Sequence, residues 1–221
     1  MGLGAKIREQ IAKRAAREVK NGMLVNLGIG IPTLVGDYIP DEIKVMFHAE
    51  NGIVGTGPAP ESGLEDPNLC NAGGLPTTIL PGASYLDSSI AFAIIRRGLL
   101  DLTIMGALQV SQSGDLANWI VPGKRVPGMG GAMELAQKAK RVVIVMTHVD
   151  SSGRPKILSE CTLPLTAKGA VDLIITDRAV IEVKDQELVL KEVFKPHTVQ
   201  EVIKLTGAEL IVDPSLSLLE L

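Results

Sequence analysis

Apolar residues recur at Ile7, Ile11, Ala15 and Val19 with charged residues between them. This four-residue spacing predicts an amphipathic helix over residues 5–20 that lays one stripe inward. Asn21-Gly22 then supplies a left-handed stop. The period changes after that. Met23-Leu24-Val25-Asn26-Leu27 is a short apolar run that reads as a strand, and residues 43–48 read as a second. Between them, Pro32 sits where a first helical residue loses nothing by lacking an N–H, which predicts a helix over 32–39. Residues 87–98 read as a helix with Ile90, Ala93 and Ile94 inward, 101–108 as a strand, 132–140 as a helix and 142–146 as an aliphatic strand. Residues 171–183 give one or two further strands, and 198–206 a late helix. Two long stretches, 52–83 and 111–131, are rich in Gly and Pro and read as irregular; such loops are usually functional or covered by a partner.

Strands and helices alternate, which predicts an α/β fold: an open, mostly parallel sheet with helices on both faces. A length of 221 residues without an internal repeat or linker-like tract suits a single domain over 1–221. Hydrophobic residues make up 46% and aromatics only 3%, so the core must be aliphatic, as buried parallel strands prefer.

A net charge of −3 leaves no electrostatic footprint for nucleic acid. The basic residues Lys6, Arg8, Lys13, Arg14, Arg17 and Lys20 are interleaved with Glu9 and Glu18 and read as a solvated helix face. Cys70 and Cys161 show no metal-binding spacing and read as reduced bystanders. The chain opens into a charged helix, so no signal peptide is expected, and no apolar run reaches the roughly 18–20 residues of a membrane span. The expected location is the cytoplasm.

In an open parallel sheet, ligands bind outside the carboxyl ends of the strands. Three features fall there: Asn26-Leu27-Gly28-Ile29-Gly30-Ile31-Pro32, Glu50-Asn51-Gly52, and Gly128-Met129-Gly130-Gly131 before a helix. The first lacks the third glycine of a dinucleotide loop; its glycines either let a ligand approach the backbone or serve a tight turn. The third offers unhindered backbone N–H groups to an anion or a developing oxyanion, although glycines before helices are common. The second leads an apolar strand directly to a carboxylate. A glutamate at a strand end is ordinarily solvated surface, but here it lies between two glycine-rich loops. His48, two residues earlier, would share a strand face with Glu50 and either tunes it or is simply packed. His148 and His197 are isolated, no histidine spacing offers a metal site, and no serine sits in GxSxG.

Together these segments resemble the B subunit of family I coenzyme A transferases, closest to the acetoacetate, butyrate and 3-oxoacid enzymes. The resemblance runs through Val25–Thr33, Glu50-Asn51-Gly52, Gly114–Trp119, Val121–Lys124, Gly128–Met133 and Cys161–Thr166 in the family's order. It implies the open α/β fold shared by coenzyme A transferases and ribose-phosphate isomerases. It implies Glu50 as the nucleophile, Gly131 and Ala132 as backbone lining near the thioester, and Asn26, Gly28 and Gly30 as the loop beneath the glutamate, these five and Asn51 serving substrate or coenzyme A binding or the oxyanion. It further implies coenzyme A as a substrate rather than a resident cofactor, acyl-CoA and a free carboxylic acid as the exchanging pair, and an A subunit as partner, commonly in an α2β2 heterotetramer. One residue departs from the pattern: Ala49 stands where the family usually has serine. The other readings are a non-catalytic regulatory subunit and a sugar-phosphate isomerase of similar fold. A carboxylate suits the transferase because it is an anion at neutral pH and attacks without a general base.

Overall fold

The computed structural model describes residues 4–123 and 128–220. Lys124, the end of one matched segment, lies outside them. The strands are β1 (Leu24–Leu27), β2 (Met46–Ala49), β3 (Ile53–Thr56), β4 (Ile79–Tyr85), β5 (Leu102–Gly106), β6 (Gln109–Ser111), β7 (Leu116–Ala117), β8 (Val142–Val145), β9 (Ile157–Leu158), β10 (Leu173–Ile175), β11 (Ala179–Lys184), β12 (Glu187–Phe194) and β13 (Leu210–Leu219). The helices are α1 (Ala5–Ala16), α2 (Ser88–Arg96), α3 (Ala132–Lys138) and α4 (Val199–Lys204), with a 3-10 helix at Pro32–Tyr38.

One sheet runs β13-β12-β11-β10-β8-β5-β1-β2-β3-β4, and a small one runs β7-β6-β9. The five central strands, β10-β8-β5-β1-β2, pair in parallel. From the β2 end they stand second, first, third, fourth and fifth along the chain, so the strand order reverses between β1 and β5. That reversal opens a crevice at the strands' carboxyl ends, where open α/β sheets bind ligands. The sheet's margins are antiparallel, through β2-β3-β4 on one side and β10-β11-β12 on the other. The last strand, β13, then lies parallel on β12.

Alternate residues of the central strands face opposite layers. Val25, Ile104, Val143, Val145 and Ile175 pack under α1 and the 3-10 helix. Met105, Val142, Ile144 and Ile174 pack under α2 and α3. Both layers are aliphatic, and each fully buried Val, Leu or Ile contributes roughly 1.5–3 kcal/mol. Helices on both faces of a sheet that is parallel at its centre are what the alternation of elements predicts.

Several local expectations are corrected. Arg14 is not part of a solvated face: it is buried, donating to Glu192 Oε2 at 2.6 Å and Oε1 at 2.9 Å and to Glu18 at 2.7 Å. This fork ties α1 to β12, satisfying a buried charge that would otherwise be costly. Helix α2 turns Ala91 and Ile95 fully inward and leaves Ile90 and Ala93 exposed. Residues 32–38 wind as a 3-10 helix rather than an α-helix, with the Thr33 hydroxyl donating back to Gly28 O at 3.0 Å. The stretch 52–83 is not wholly irregular, since it holds β3 and most of β4; likewise 111–131 holds β7. Strands β12 and β13 lie beyond the last expected strand.

His148 is fully buried, its ring nitrogens 3.0 Å from Thr176 Oγ1 and 2.9 Å from Thr206 Oγ1. Burial lowers its pKa to about 4 from the usual 6.5. Below pH 6.5 the unfolded chain takes up a proton here that the folded chain resists until about pH 4, so stability falls as pH drops through that window. The loss should reach roughly 3 kcal/mol at about 1.4 kcal/mol per pH unit. Urea midpoints measured from pH 7 to pH 4 should show this decline, and His148→Gln should flatten it.

Candidate active site

The site is built on the placement of β1. In register, Asn26 stands opposite His48 of β2 and Thr103 of β5. These three polar residues form a buried row across an otherwise aliphatic sheet, on the face covered by α2 and α3. Asn26 is 1% exposed. Its amide nitrogen donates one hydrogen bond to His48 O at 3.1 Å and another to Glu50 Oε2 at 3.0 Å. The Thr103 hydroxyl leans on Asn26 Oδ1 at 3.4 Å. Both amide hydrogens are therefore engaged, and one aims a carboxylate oxygen. Among the described residues, Glu50's side-chain partner is this amide and not a cation.

Glu50 projects from the turn between β2 and β3, and Gly52 makes that turn possible. Gly52 adopts φ +117° and returns its N–H to Ala49 O at 3.0 Å, while its carbonyl accepts from Leu86 N at 2.8 Å. A Cβ at this position would lie 2.3 Å from Leu86 O, so glycine is required by conformation and by space. Asn51 turns away from the carboxylate and donates to Cys70 O at 2.8 Å, fastening the 70–75 loop to the turn. Ala49, where the resemblance expects serine, is buried opposite Ile53.

His48 is 2% exposed, with Nε2 3.1 Å from Ala91 O of α2. A carbonyl only accepts, so Nε2 carries the proton, and Nδ1 has no partner among the described residues. Burial lowers the His48 pKa and keeps the ring neutral. The histidine is packed, and it pins β2 to α2 just behind the nucleophile candidate.

Gly131 comes to the same place from the far side of the sequence. A Cβ there would sit 3.6 Å from Glu50 Cγ, an ordinary contact, and 3.3 Å from the Phe92 ring, a tight one, so the backbone here lies close against both side chains. The Ala132 N–H donates to Met129 O at 3.3 Å. Gly28 passes beneath β5, its N–H donating to Ile104 O at 2.9 Å. Gly30 has φ +96° and faces open space. Beside it, at the point where the strand order reverses, lies a cleft of about 180 Å³ walled by Ile29, Ile31, Pro32, Gly106, Met146 and Lys156.

Thus Glu50, Asn26 and Gly131 gather at one spot, and Ala132 follows Gly131 as the first residue of α3. Gly28 and Gly30 shape the adjoining cleft, and Asn51 plays a bracing part. Thr103, Phe92 and Lys156 were not among the sequence-derived candidates. Thr103 had a signal, a polar residue inside the aliphatic run of β5; Phe92 and Lys156 had none.

The family model for coenzyme A transferase matches residues 8–205. A relative from Bacillus subtilis (strain 168), the probable coenzyme A transferase subunit beta, is 62% identical over 213 residues, covering 96% of this chain and 98% of that protein. The human mitochondrial succinyl-CoA:3-ketoacid coenzyme A transferase 2 is 48% identical over 211 residues, covering 95% of this chain but 41% of that one. Among solved structures, an acyl-CoA transferase from Escherichia coli O157:H7 superposes with a TM-score of 0.77 at 22% identity, over 100% of this chain and 44% of the other. That likeness concerns the fold. The chain spans under half the length of the human and Escherichia coli proteins.

Two glycine substitutions separate conformation from space. Gly30→Ala should cost about 1–2 kcal/mol through its positive φ alone, since nothing lies near its Cβ. Gly52→Ala should cost more than about 3 kcal/mol, because it adds a collision with the Leu86 carbonyl to a similar φ penalty. Urea unfolding of the two variants checks the order.

Proposed function

The chain belongs to the coenzyme A transferase family, and on that premise we propose that it is the catalytic B subunit of a two-subunit enzyme that moves coenzyme A between a short-chain acyl-CoA or 3-oxoacyl-CoA and a free carboxylic acid. The observation that carries this reading is a single carboxylate at a strand end, held by the Asn26 amide and flanked by a bare glycine backbone. A relative over nearly its full length is named as a subunit beta, and the longer human protein is named for succinyl-CoA and 3-ketoacids. The large sheet draws strands from Leu24 to Leu219, which supports one domain over the whole chain.

The chemistry is that of the carboxylate. A Glu50 oxygen adds to the thioester carbonyl carbon, the C–S bond breaks, and coenzyme A leaves as its thiolate. This forms a mixed anhydride between Glu50 and the acyl group. The thiolate then attacks Glu50 Cδ, the C–O bond to the acyl group breaks, and the first acid departs as a carboxylate. Glu50 is left as a thioester, and the incoming acid reverses both steps. The Asn26 hydrogen bond orients the attacking oxygen and leaves the other oxygen free. Each addition places negative charge on a carbonyl oxygen, and removing one donor for such an oxyanion typically costs about 2.7–4 kcal/mol. The Gly131 backbone N–H, adjoining Glu50, is the proposed donor, with Ala132 completing the wall.

The anhydride must be kept from water. The rim of the site exposes Ile29 (70%), Leu75 (52%) and Tyr85 (64%). Ile29 reaches the 70–75 loop at Gly73, and Tyr85 pairs with Ile53 beside the Glu50 turn. Apolar side chains grouped on a rim suit burial by a partner. An A subunit seated there, as in an α2β2 assembly, would exclude water and complete the pocket. No helix among the described residues is long and apolar enough to cross a membrane, and we place the enzyme in the cytoplasm.

Incubating the assembled A and B subunits with acyl-CoA and no acceptor acid should give a Glu50 peptide heavier by coenzyme A, detected by mass spectrometry. Glu50→Gln should abolish the adduct and transfer; transfer that persisted in this variant would refute the mechanism. Asn26→Ala should lower kcat by about 10- to 100-fold, the value of one hydrogen bond to a charged group. The isolated B subunit should show no transfer until the A subunit is added.

A further inference from the structure

Helix α2 touches both halves of the site and holds neither reacting group. Just before it, the Leu86 N–H donates to Gly52 O at 2.8 Å, in the turn that carries Glu50. Asp87 caps the helix, its side chain accepting from the Ser89 N–H at 2.8 Å. One turn on, Ala91 O accepts from Nε2 of His48, two residues before Glu50, at 3.1 Å. Ala91 and Ile95 are fully buried and seat the helix on the sheet. At its last residue, Arg96 donates through Nε and Nη2 to Glu134 Oε1 of α3, at 3.0 and 2.7 Å. The helix is thus fastened to the Glu50 strand and turn at one end and to α3, which Gly131 opens, at the other. Phe92 lies between these ties.

The Gly131 backbone meets the Phe92 ring directly. The place a Gly131 Cβ would take is 3.3 Å from both Cε1 and Cζ of Phe92 and 3.6 Å from Glu50 Cγ. Gly131 itself has φ −82° and ψ 0°, an ordinary right-handed conformation open to other residues. Space rather than conformation therefore favours glycine here, and the ring is the tighter neighbour. A glycine has no side chain with which to fix the start of α3, so its backbone is located by what packs against it. The far end of α3 is tied separately, through the Lys140 N–H donating to Leu100 O at 3.0 Å. The Arg96 guanidinium stands over the Phe92 ring, 5.4 Å from its centroid. That side chain is 58% exposed, and an exposed ion pair contributes little, so the spacing falls to the ring rather than to the fork.

Resting on the transferase reading, in which Glu50 attacks and the Gly131 N–H donates to the oxyanion, we propose that Phe92 is a positioning residue: packed between α2 and Gly131, its ring sets how far this backbone stands from Glu50. A donor serves an oxyanion at about 2.7–3.1 Å. A misplacement of about 1 Å costs on the order of 100-fold in rate. A flat ring turning about two torsions is stiffer than a flexible aliphatic chain, which suits a spacer. The donor acts on charge that develops after the substrate has bound. Its displacement therefore lowers kcat and leaves KM nearly unchanged.

The test measures kcat, KM and the rate at which the Glu50–coenzyme A adduct forms, on the assembled A and B subunits. Succinyl-CoA and butyryl-CoA serve as donors and acetoacetate as acceptor. Phe92→Leu, which withdraws the ring edge, should lower kcat and the adduct rate by roughly 10- to 100-fold, with KM changed by less than about threefold. Phe92→Met, which nearly conserves volume but not stiffness, should lose roughly 3- to 10-fold. It carries the same comparison if the leucine variant does not assemble. Gly131→Ala alone should also lower kcat. Combined with Phe92→Leu, its methyl fills the vacated space, and the double variant should be at least ~5-fold more active than the product of the two single losses. Losses that simply multiply would overturn the proposal. So would an unchanged kcat in the Phe92 variants, or a loss confined to KM, which would assign the ring to substrate contact. Absence of the Glu50 adduct with both thioesters in the unsubstituted enzyme would sink the transferase reading instead.

Discussion

The site depends on one amide. Asn26 sits in the middle of the sheet between His48 and Thr103, and its two N–H groups go to a backbone carbonyl of the next strand and to the carboxylate at that strand's end. This makes the parallel pairing of β1 with β2 part of the site's geometry. If the register slipped by one residue, Asn26 would face the layer under α1 and Glu50 would lose its orienting partner. A buried polar group of this kind is tolerated only when fully satisfied, and the Thr103 hydroxyl and His48 carbonyl complete its set.

Around that joint the protein relies on backbone where another fold would use side chains. Gly52 turns the chain back under the Leu86 carbonyl, and Gly131 brings bare backbone against Glu50 and Phe92. Glu50 is therefore approached closely from both sides, and among the described residues the titratable group nearest it in the sheet is His48, whose pKa burial lowers. Such an arrangement suits an anionic nucleophile. It needs no proton taken from it, only orientation and a place for charge to develop on the substrate.

How far the sequence revealed this differs by scale. The alternation of strand and helix gave the central parallel sheet, and the joint resemblance of the glycine segments singled out Glu50. Asn26 was legible as a position but not as a donor, because its bonds cross to β2, 22 and 24 residues away. Lys156 carried no local signal: it becomes a partly buried charge, without an ion pair among the described residues, only when β8, the 147–155 turn and the loop after β1 meet. Strand β12 does alternate apolar and polar residues, but the turn before it uses Asp185 and Gln186 at positive φ in place of glycine. Arg14 was read as solvated because helix periodicity says nothing of a glutamate 178 residues later.

Strand β13 has a consequence of its own. It ends the large sheet, and one side of its backbone is unpaired among the described residues, with Ile211, Val212 and Leu218 exposed. A long, flat strand of that composition would template the addition of another chain. Here Pro214 lacks an N–H, and the pairing with β12 shifts register between Leu190 and Glu192, where Lys191 meets Asp213. The strand's outer edge is thereby broken midway, at a point where a neighbouring chain would find neither a continuous row of donors nor an uncharged surface. The same ten residues that end the sheet thus carry the kinds of interruption that blunt an open edge.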